Sequence, residues 1–199
     1  ALPGVGACGG MYTANTMSSS IEAVGLSLPY SSTMAAEDEE KRESAAKSME
    51  VLIDAVKKNL KPRDIVTRKS IENAVAVIMA TGGSTNHTIH LVAIAAAAGI
   101  RIDWDDFDAL SQVSPLLARV YPNGKADVNH FHAAGGMAFL IRELLQAGLL
   151  HADVNTILGQ RLQRFAVEPW LDDGVLAWRA APERSADESV LRPVADPFS

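Results

Sequence analysis

A single cysteine, Cys8, stands in the most chemically suggestive stretch of this 199-residue chain. Gly4, Gly6, Gly9 and Gly10 surround it. Glycine opens backbone conformations closed to other residues and leaves a neighbouring side chain unshielded. The apolar spacing of Met17, Ile21 and Val24, ended by Gly25, predicts a helix face that starts just after this loop. A thiol ahead of a helix N-terminus meets orphan N–H groups and the positive end of the dipole, which favour thiolate over thiol. That setting suits metal ligation or nucleophilic attack. A lone cysteine packed as a small buried hydrophobe is the competing reading, and the local sequence does not decide between them.

A second cluster, Thr81-Gly82-Gly83-Ser84-Thr85-Asn86, interrupts two apolar helical patterns. The first runs from Ser70, read as its N-cap, to Met79. The second runs from about His87 to Ala98 and is closed by Gly99. Free N–H groups and hydroxyls at the start of that second helix would suit a carboxylate or phosphate, with Gly82, Gly83, Ser84, Thr85 and Asn86 as candidate substrate contacts. An N-capped helix–helix corner needs the same residue types, so this reading also stays open.

Other arrangements carry less. His87 and His90 are three apart and His130 and His132 two apart, but no acidic or thiol partner completes a zinc set at a recognised spacing. Asp103-Trp104-Asp105-Asp106-Phe107 lacks the glycine and distant glutamate of a calcium loop, so Asp103 reads as a helix cap. Ser18-Ser19-Ser20 has no Gly-x-Ser-x-Gly context.

The elements that must position these groups are mostly helical. A long amphipathic helix is expected over Ala35–Leu60, acidic at its start and basic at its end, with Ala45, Met49, Leu52, Ile53 and Val56 as its apolar stripe. Short elements are expected at Arg101-Ile102 (strand), Trp104–Val113 (helix), Leu116–Tyr121 (strand) and Asp127–Ala134 (helical turn). An amphipathic helix over Met137–Gln146 follows, stopped by Gly148. Trp170–Ser199 reads as an irregular tail or linker with one short strand around Val175–Trp178.

Composition sets the outer limits. Hydrophobic residues make up 48% and charged residues 21%, which is ordinary for a globular domain. A net charge of −6 leaves no basic stripe to track nucleic-acid phosphates. The longest apolar run, Leu91–Ala98, is too short for a membrane span, and no signal-peptide pattern is visible. One cysteine fits a reducing cytoplasm. The lack of an initiator Met and the opening inside a motif suggest a fragment.

The residues around Cys8 carry a resemblance beyond these generalities. Gly6-Ala7-Cys8-Gly9-Gly10-Met11-Tyr12-Thr13-Ala14-Asn15-Thr16-Met17, Gly25–Ser32, Lys61–Ala74 and Ala80–Asn86 resemble dihydroxy-acid dehydratase. From His87 onward, Ile102–Phe107, Tyr121–Gly124, Asn129–Phe131, Gly148–His151, Glu168–Leu171 and Pro197-Phe198-Ser199 resemble phosphogluconate dehydratase of the same superfamily. The chain thus reads as a central fragment or mosaic. The resemblance implies a hydro-lyase that turns a 2,3-dihydroxy acid or a phosphorylated sugar acid into a 2-keto acid. It implies an iron–sulfur cluster (2Fe–2S or 4Fe–4S) as Lewis acid, with Cys8 as the third of three thiolates. Magnesium, whose ligands lie outside this chain, and a catalytic serine from a second domain complete the implied centre. The implied fold is a helix-rich fragment of a three-layer α/β/α domain. Residues 1–169 would form part of its iron–sulfur-binding N-terminal domain, and 170–199 would lead towards a C-terminal domain. The complete enzyme is expected to be a cytoplasmic homodimer. A catalytically silent module that acts only by association is the alternative.

Overall fold

A helix buried almost all round has to sit at the centre of a domain. Arg68–Thr81 is that helix, with Ile71, Ala74, Val75, Ala76, Val77 and Ile78 all buried. The computed structural model describes residues 8–199, so Gly4 and Gly6 of the glycine-rich motif lie outside the described residues. Among these, the helices are α1 (Thr13–Val24), α2 (Glu39–Lys57), α3 (Pro62–Ile65), α4 (Arg68–Thr81), α5 (His87–Ala97), α6 (Trp104–Ser111), α7 (Val128–Ala133) and α8 (Gly136–Gln146). Two antiparallel hairpins complete the set, β1 (Asn155–Thr156) with β2 (Gly159–Gln160) and β3 (Val167–Asp172) with β4 (Val175–Ala180). The chain is therefore helix-rich α/β, as the sequence led us to expect. No described helix is long and apolar enough to cross a membrane.

Capping chemistry sets the helix boundaries. At the start of α4 the cap is Thr67 rather than the expected Ser70. Ser70 occupies the third helical position, where its hydroxyl accepts the Thr67 N–H at 2.8 Å while the Thr67 hydroxyl accepts the Ser70 N–H at 3.3 Å. This reciprocal pair is a capping box with a serine in place of the usual glutamate. Gly82 closes α4 in the left-handed conformation (φ 61°). Asp127 caps α7 through the His130 N–H at 3.0 Å.

Three expectations change. Arg101-Ile102 forms no strand; the Arg101 carbonyl instead accepts from the Arg68 guanidinium at 2.9 Å. Leu116–Tyr121 is extended but makes only isolated bridges, Ala118 with Leu191 and Val120 with Ala126. The short strand near Val175 is one six-residue arm of a hairpin whose Asp173-Gly174 turn has φ of 49° and 81°. An Asp-Gly pair is the turn this geometry demands, and it was visible in the sequence.

The closing residues are irregular in backbone yet packed. Leu191 is fully buried. The Arg119 N–H donates to the Val190 carbonyl (2.8 Å), the Arg192 N–H to the Leu117 carbonyl (2.8 Å) and the Phe198 N–H to the Leu116 carbonyl (2.8 Å). Arg119 and Arg192 both lie over the Phe198 ring, at 4.9 and 4.5 Å from its centroid.

Helix α1 is oriented against its hydropathy. Asn15, Thr16, Ser19, Ser20 and Glu22 are buried along α4, whereas Met17 and Ile21 line an open groove of about 350 Å³ that faces Ser31 and Lys41. Small hydroxyl side chains let the two helix backbones approach closely, and local bonds satisfy Thr16 and Ser20, the latter through Ser20 Oγ to the Thr16 carbonyl (3.0 Å). Glu22 accepts from the Tyr30 N–H at 2.5 Å and from the Ser32 N–H and hydroxyl at 3.2 and 2.6 Å, and so ties the Gly25–Ser32 loop to α1.

Burial pushes the Glu22 carboxyl from its ordinary 4.5 up to about 7, against the pull of those three donors. The folded state then binds more protons than the unfolded state between these values. Stability should accordingly fall by about 3 kcal/mol as pH rises from about 4.5 to about 7 and level off above. Urea titrations across that range should show the slope in the wild type and its loss in Glu22→Gln. Truncating Leu191 to Ala should cost about 2–5 kcal/mol if the closing segment belongs to the core.

Candidate functional site

The Cys8 loop and the Gly82–Asn86 loop, 74 positions apart in the sequence (82 − 8), meet at the first turn of α1. The buried Asn15 carboxamide donates to the carbonyls of Cys8 (2.6 Å) and Gly10 (2.7 Å), drawing the thiol loop down onto the helix. The Thr16 hydroxyl donates to the Met11 carbonyl at 3.1 Å and accepts the Ser84 N–H at 2.9 Å, so one oxygen joins both loops. Thr13 adds a second link. Its hydroxyl lies 3.3 Å from Ser84 Oγ and accepts from Asn86 Nδ2 at 2.7 Å.

The close approach explains the glycines. A Cβ on Gly83 would sit 2.9 Å from the Thr16 methyl and 3.1 Å from an Ile78 methyl. One on Gly82 would meet the Asn123 carboxamide at 2.2 Å, and one on Gly10 the Tyr121 carbonyl at 2.7 Å. The Tyr121–Gly124 turn, whose Tyr121-Pro122 bond is cis, therefore forms a third wall. Tyr121 also accepts the Met11 N–H at 2.7 Å, and its ring meets Tyr12 edge-on at 6.3 Å.

Cys8 is half-buried, and among the described residues its Sγ donates only to the Gly10 carbonyl at 3.6 Å. Among these residues it is neither packed into the core nor joined by other ligand-type side chains. Among the described residues no group of three His, Cys, Asp or Glu could hold a metal ion. The structure thus offers one sulfur at the lip of a glycine-rich loop.

The second loop differs from a nest of free N–H groups. The Ser84 N–H goes to Thr16, the Asn86 N–H to Ser84 Oγ (3.3 Å) and the His87 N–H to the Ser84 carbonyl (3.2 Å). Thr85 and Asn86 are exposed at the tip. Outward-facing polarity here comes from hydroxyls and a carboxamide.

The histidines are explained by packing or exposure. His87 is buried against Phe107 (ring centroids 5.5 Å), with Nδ1 2.6 Å from the Ser84 carbonyl. A carbonyl can only accept, so Nδ1 carries the proton, and burial lowers the ring's pKa and keeps it neutral. His90 is exposed. His132 is mostly buried beneath Tyr30, 3.1 Å from the Thr33 hydroxyl. Asp103 starts α6 as expected, its N–H held by Asp106 at 3.0 Å.

Asn15, Thr13, Thr16 and the Tyr121–Gly124 turn were not singled out from the sequence as site-forming. Polar residues on a helix with an apparent apolar stripe read as its solvent face. The Pro122-Asn123-Gly124 signal announced a turn but not its neighbour.

Comparison with known sequences bears directly on this site. The family model described as dihydroxy-acid/6-phosphogluconate dehydratase N-terminal matches residues 1–165, from the Cys8 loop through both other walls. The chain belongs to this family. A phosphogluconate dehydratase of Pseudomonas aeruginosa is 51% identical over 98% of the chain. Dihydroxy-acid dehydratases of Polaromonas sp. and Synechococcus sp. are each 52% identical over all of it. The chain spans 32–33% of the length of these relatives. Relatives of both names thus match at nearly equal identity.

Gly83→Ala should push the second loop off α1 and cost about 1–3 kcal/mol, read as a lower urea midpoint at unchanged slope. An unaltered midpoint would mean that the loop moves aside freely.

Proposed function

We propose that this chain is the part of a hydro-lyase that brings one cluster thiolate next to a substrate-holding loop. The reaction is loss of water from a 2,3-dihydroxy acid or a phosphorylated sugar acid to give a 2-keto acid. The observation that carries this reading is the joining of the Cys8 loop and the Ser84–Asn86 loop through Thr13 and Thr16. Membership in the dehydratase family supplies the reaction class.

Cys8 fits one ligand position of an iron–sulfur cluster, because its sulfur is part-exposed and, among the described residues, tied only to Gly10. Such clusters take several protein thiolates, so the remaining ligands must come from outside this chain. When bound, the cluster supplies Lewis acidity towards a departing hydroxide, which leaves poorly unaided. The chain's own residues prepare that event. Asn15 fixes the thiol loop through two carbonyls, and thereby the direction of the sulfur. Thr85, Asn86 and the Ser84 hydroxyl offer hydrogen bonds to a carboxylate or phosphate, while Gly83 lets the loop lie against α1 and Gly82 lets it lie against Asn123. Thr13 holds Ser84 and Asn86 against the start of α1. The resemblance puts the magnesium ligands outside this chain. We infer that 1–169 belongs to the cluster-bearing domain of a cytoplasmic enzyme and that 170–199, which packs back onto it through Val190 and Leu191, leads on towards the second domain. The chain alone should be inactive.

Turnover of both substrate classes by a full-length version of the protein tests the reading. Activity on one class should fall by more than about 100-fold in Cys8→Ser, together with the visible absorbance of the anaerobically reconstituted protein. Full activity and colour in Cys8→Ser would exclude Cys8 as a ligand. The 199-residue chain should stay colourless and inactive after the same treatment.

A further inference from the structure

Packing accounts for the burial of the His87 ring but not for its being an imidazole. The ring lies against Phe107, and the residue is 4% exposed. Among the described residues its Nε2 has no hydrogen-bond partner. An unpaired buried acceptor costs free energy that a phenyl or aliphatic side chain would avoid at this position. What the imidazole gains is one bond, from Nδ1–H to the Ser84 carbonyl at 2.6 Å. That carbonyl also accepts the His87 N–H at 3.2 Å, so both its lone pairs are engaged from the first residue of α5.

The bond sets a peptide plane. Among the described residues only the Tyr121-Pro122 bond is cis, so the peptide between Ser84 and Thr85 is trans. In a trans peptide the C=O and N–H point in opposite directions. Drawing the Ser84 carbonyl towards buried His87 therefore turns the Thr85 N–H away from the core, on an exposed residue. The other N–H groups of Ser84–His87 are taken by Thr16, Ser84 Oγ and the Ser84 carbonyl, whereas that of Thr85 has no partner among the described residues. It stands just ahead of α5, where the helix dipole adds positive potential. We propose that His87 is a positioning residue that aims the Thr85 N–H at an anionic oxygen group of the substrate, its carboxylate or its phosphate. This rests on the reading of the Ser84–Asn86 loop as substrate-holding. His87 itself touches no substrate and acts through the Ser84 carbonyl.

Steady-state kinetics of the full-length enzyme separate this role from packing. His87→Phe keeps a buried ring without the donor, and should raise KM about tenfold or more while kcat changes less than about threefold. His87→Asn, whose amide N–H can reach the Ser84 carbonyl, should return KM to within about threefold of the wild type. The visible absorbance per protein should be unchanged in both, because the thiol loop is held by Asn15. Should the phenyl ring prevent folding, His87→Leu makes the same comparison. Inorganic phosphate and lactate (a carboxylate without the C3 hydroxyl) serve as competing probes. Weaker inhibition of His87→Phe by phosphate identifies the phosphate group, and by lactate the carboxylate; inhibition by both as in the wild type would overturn the proposal. So would a wild-type KM in His87→Phe, or an equal rise in His87→Phe and His87→Asn. Asn86→Asp, which puts a like charge at the loop tip, tells which reading has then failed. A raised KM there leaves the substrate loop standing without His87, and an unchanged one removes the loop as well.

Discussion

The Thr16 hydroxyl is the constraint on which the site depends. It lies on a buried helix face, gives its proton to the Met11 carbonyl and takes the Ser84 N–H. A valine of the same shape could do neither, and two backbone groups would lose their partners in a region that water does not freely reach. Because α1 lies along α4, and Gly82 closes α4, the position of one loop is transmitted to the other through rigid helices rather than flexible chain. The glycines follow as a consequence. They stand where the walls approach too closely for a Cβ.

The same constraint explains why part of the fold was legible and part was not. Periodicity with Gly stops located α1, α4, α5 and α8, and the acidic-to-basic run located α2. Periodicity nevertheless named the wrong inner face of α1. Met17, Ile21 and Val24 suggested an apolar contact, of which only Val24 is buried. Hydropathy measures the cost of desolvating a group, not whether a partner waits for it. Ser20, Thr16 and Glu22 are inside because each finds a carbonyl or an N–H there. Ser19 is buried with no partner for its hydroxyl, and the structure provides no account of it. For α2 the error runs the other way. The residues read as an apolar stripe are exposed, and the buried residues of the helix are Ser44 and Ala55.

For the candidate site, Cys8 and the 82–86 loop were visible as residue types, but their meeting was not. A separation of 74 positions leaves no local signal, and the joining residues Thr13, Asn15 and Thr16 look like an ordinary polar helix surface. Family resemblance identified the reaction class from those same residues. The geometry adds a reason for the loop sequence, since most N–H groups of Ser84–His87 are consumed internally and what remains outward is the Thr85 and Asn86 polarity.

Amide hydrogen exchange in Thr16→Val measures the central coupling most directly. If one hydroxyl joins the loops, the Ser84 amide should exchange faster because it loses its acceptor, and the Met11 amide, which donates to the Tyr121 carbonyl, should exchange faster because its loop loosens once the Met11 carbonyl is released, while amides in α8 keep their protection. Faster exchange at Ser84 with Met11 unchanged would show that the two loops are held independently, and the single-site account would fail.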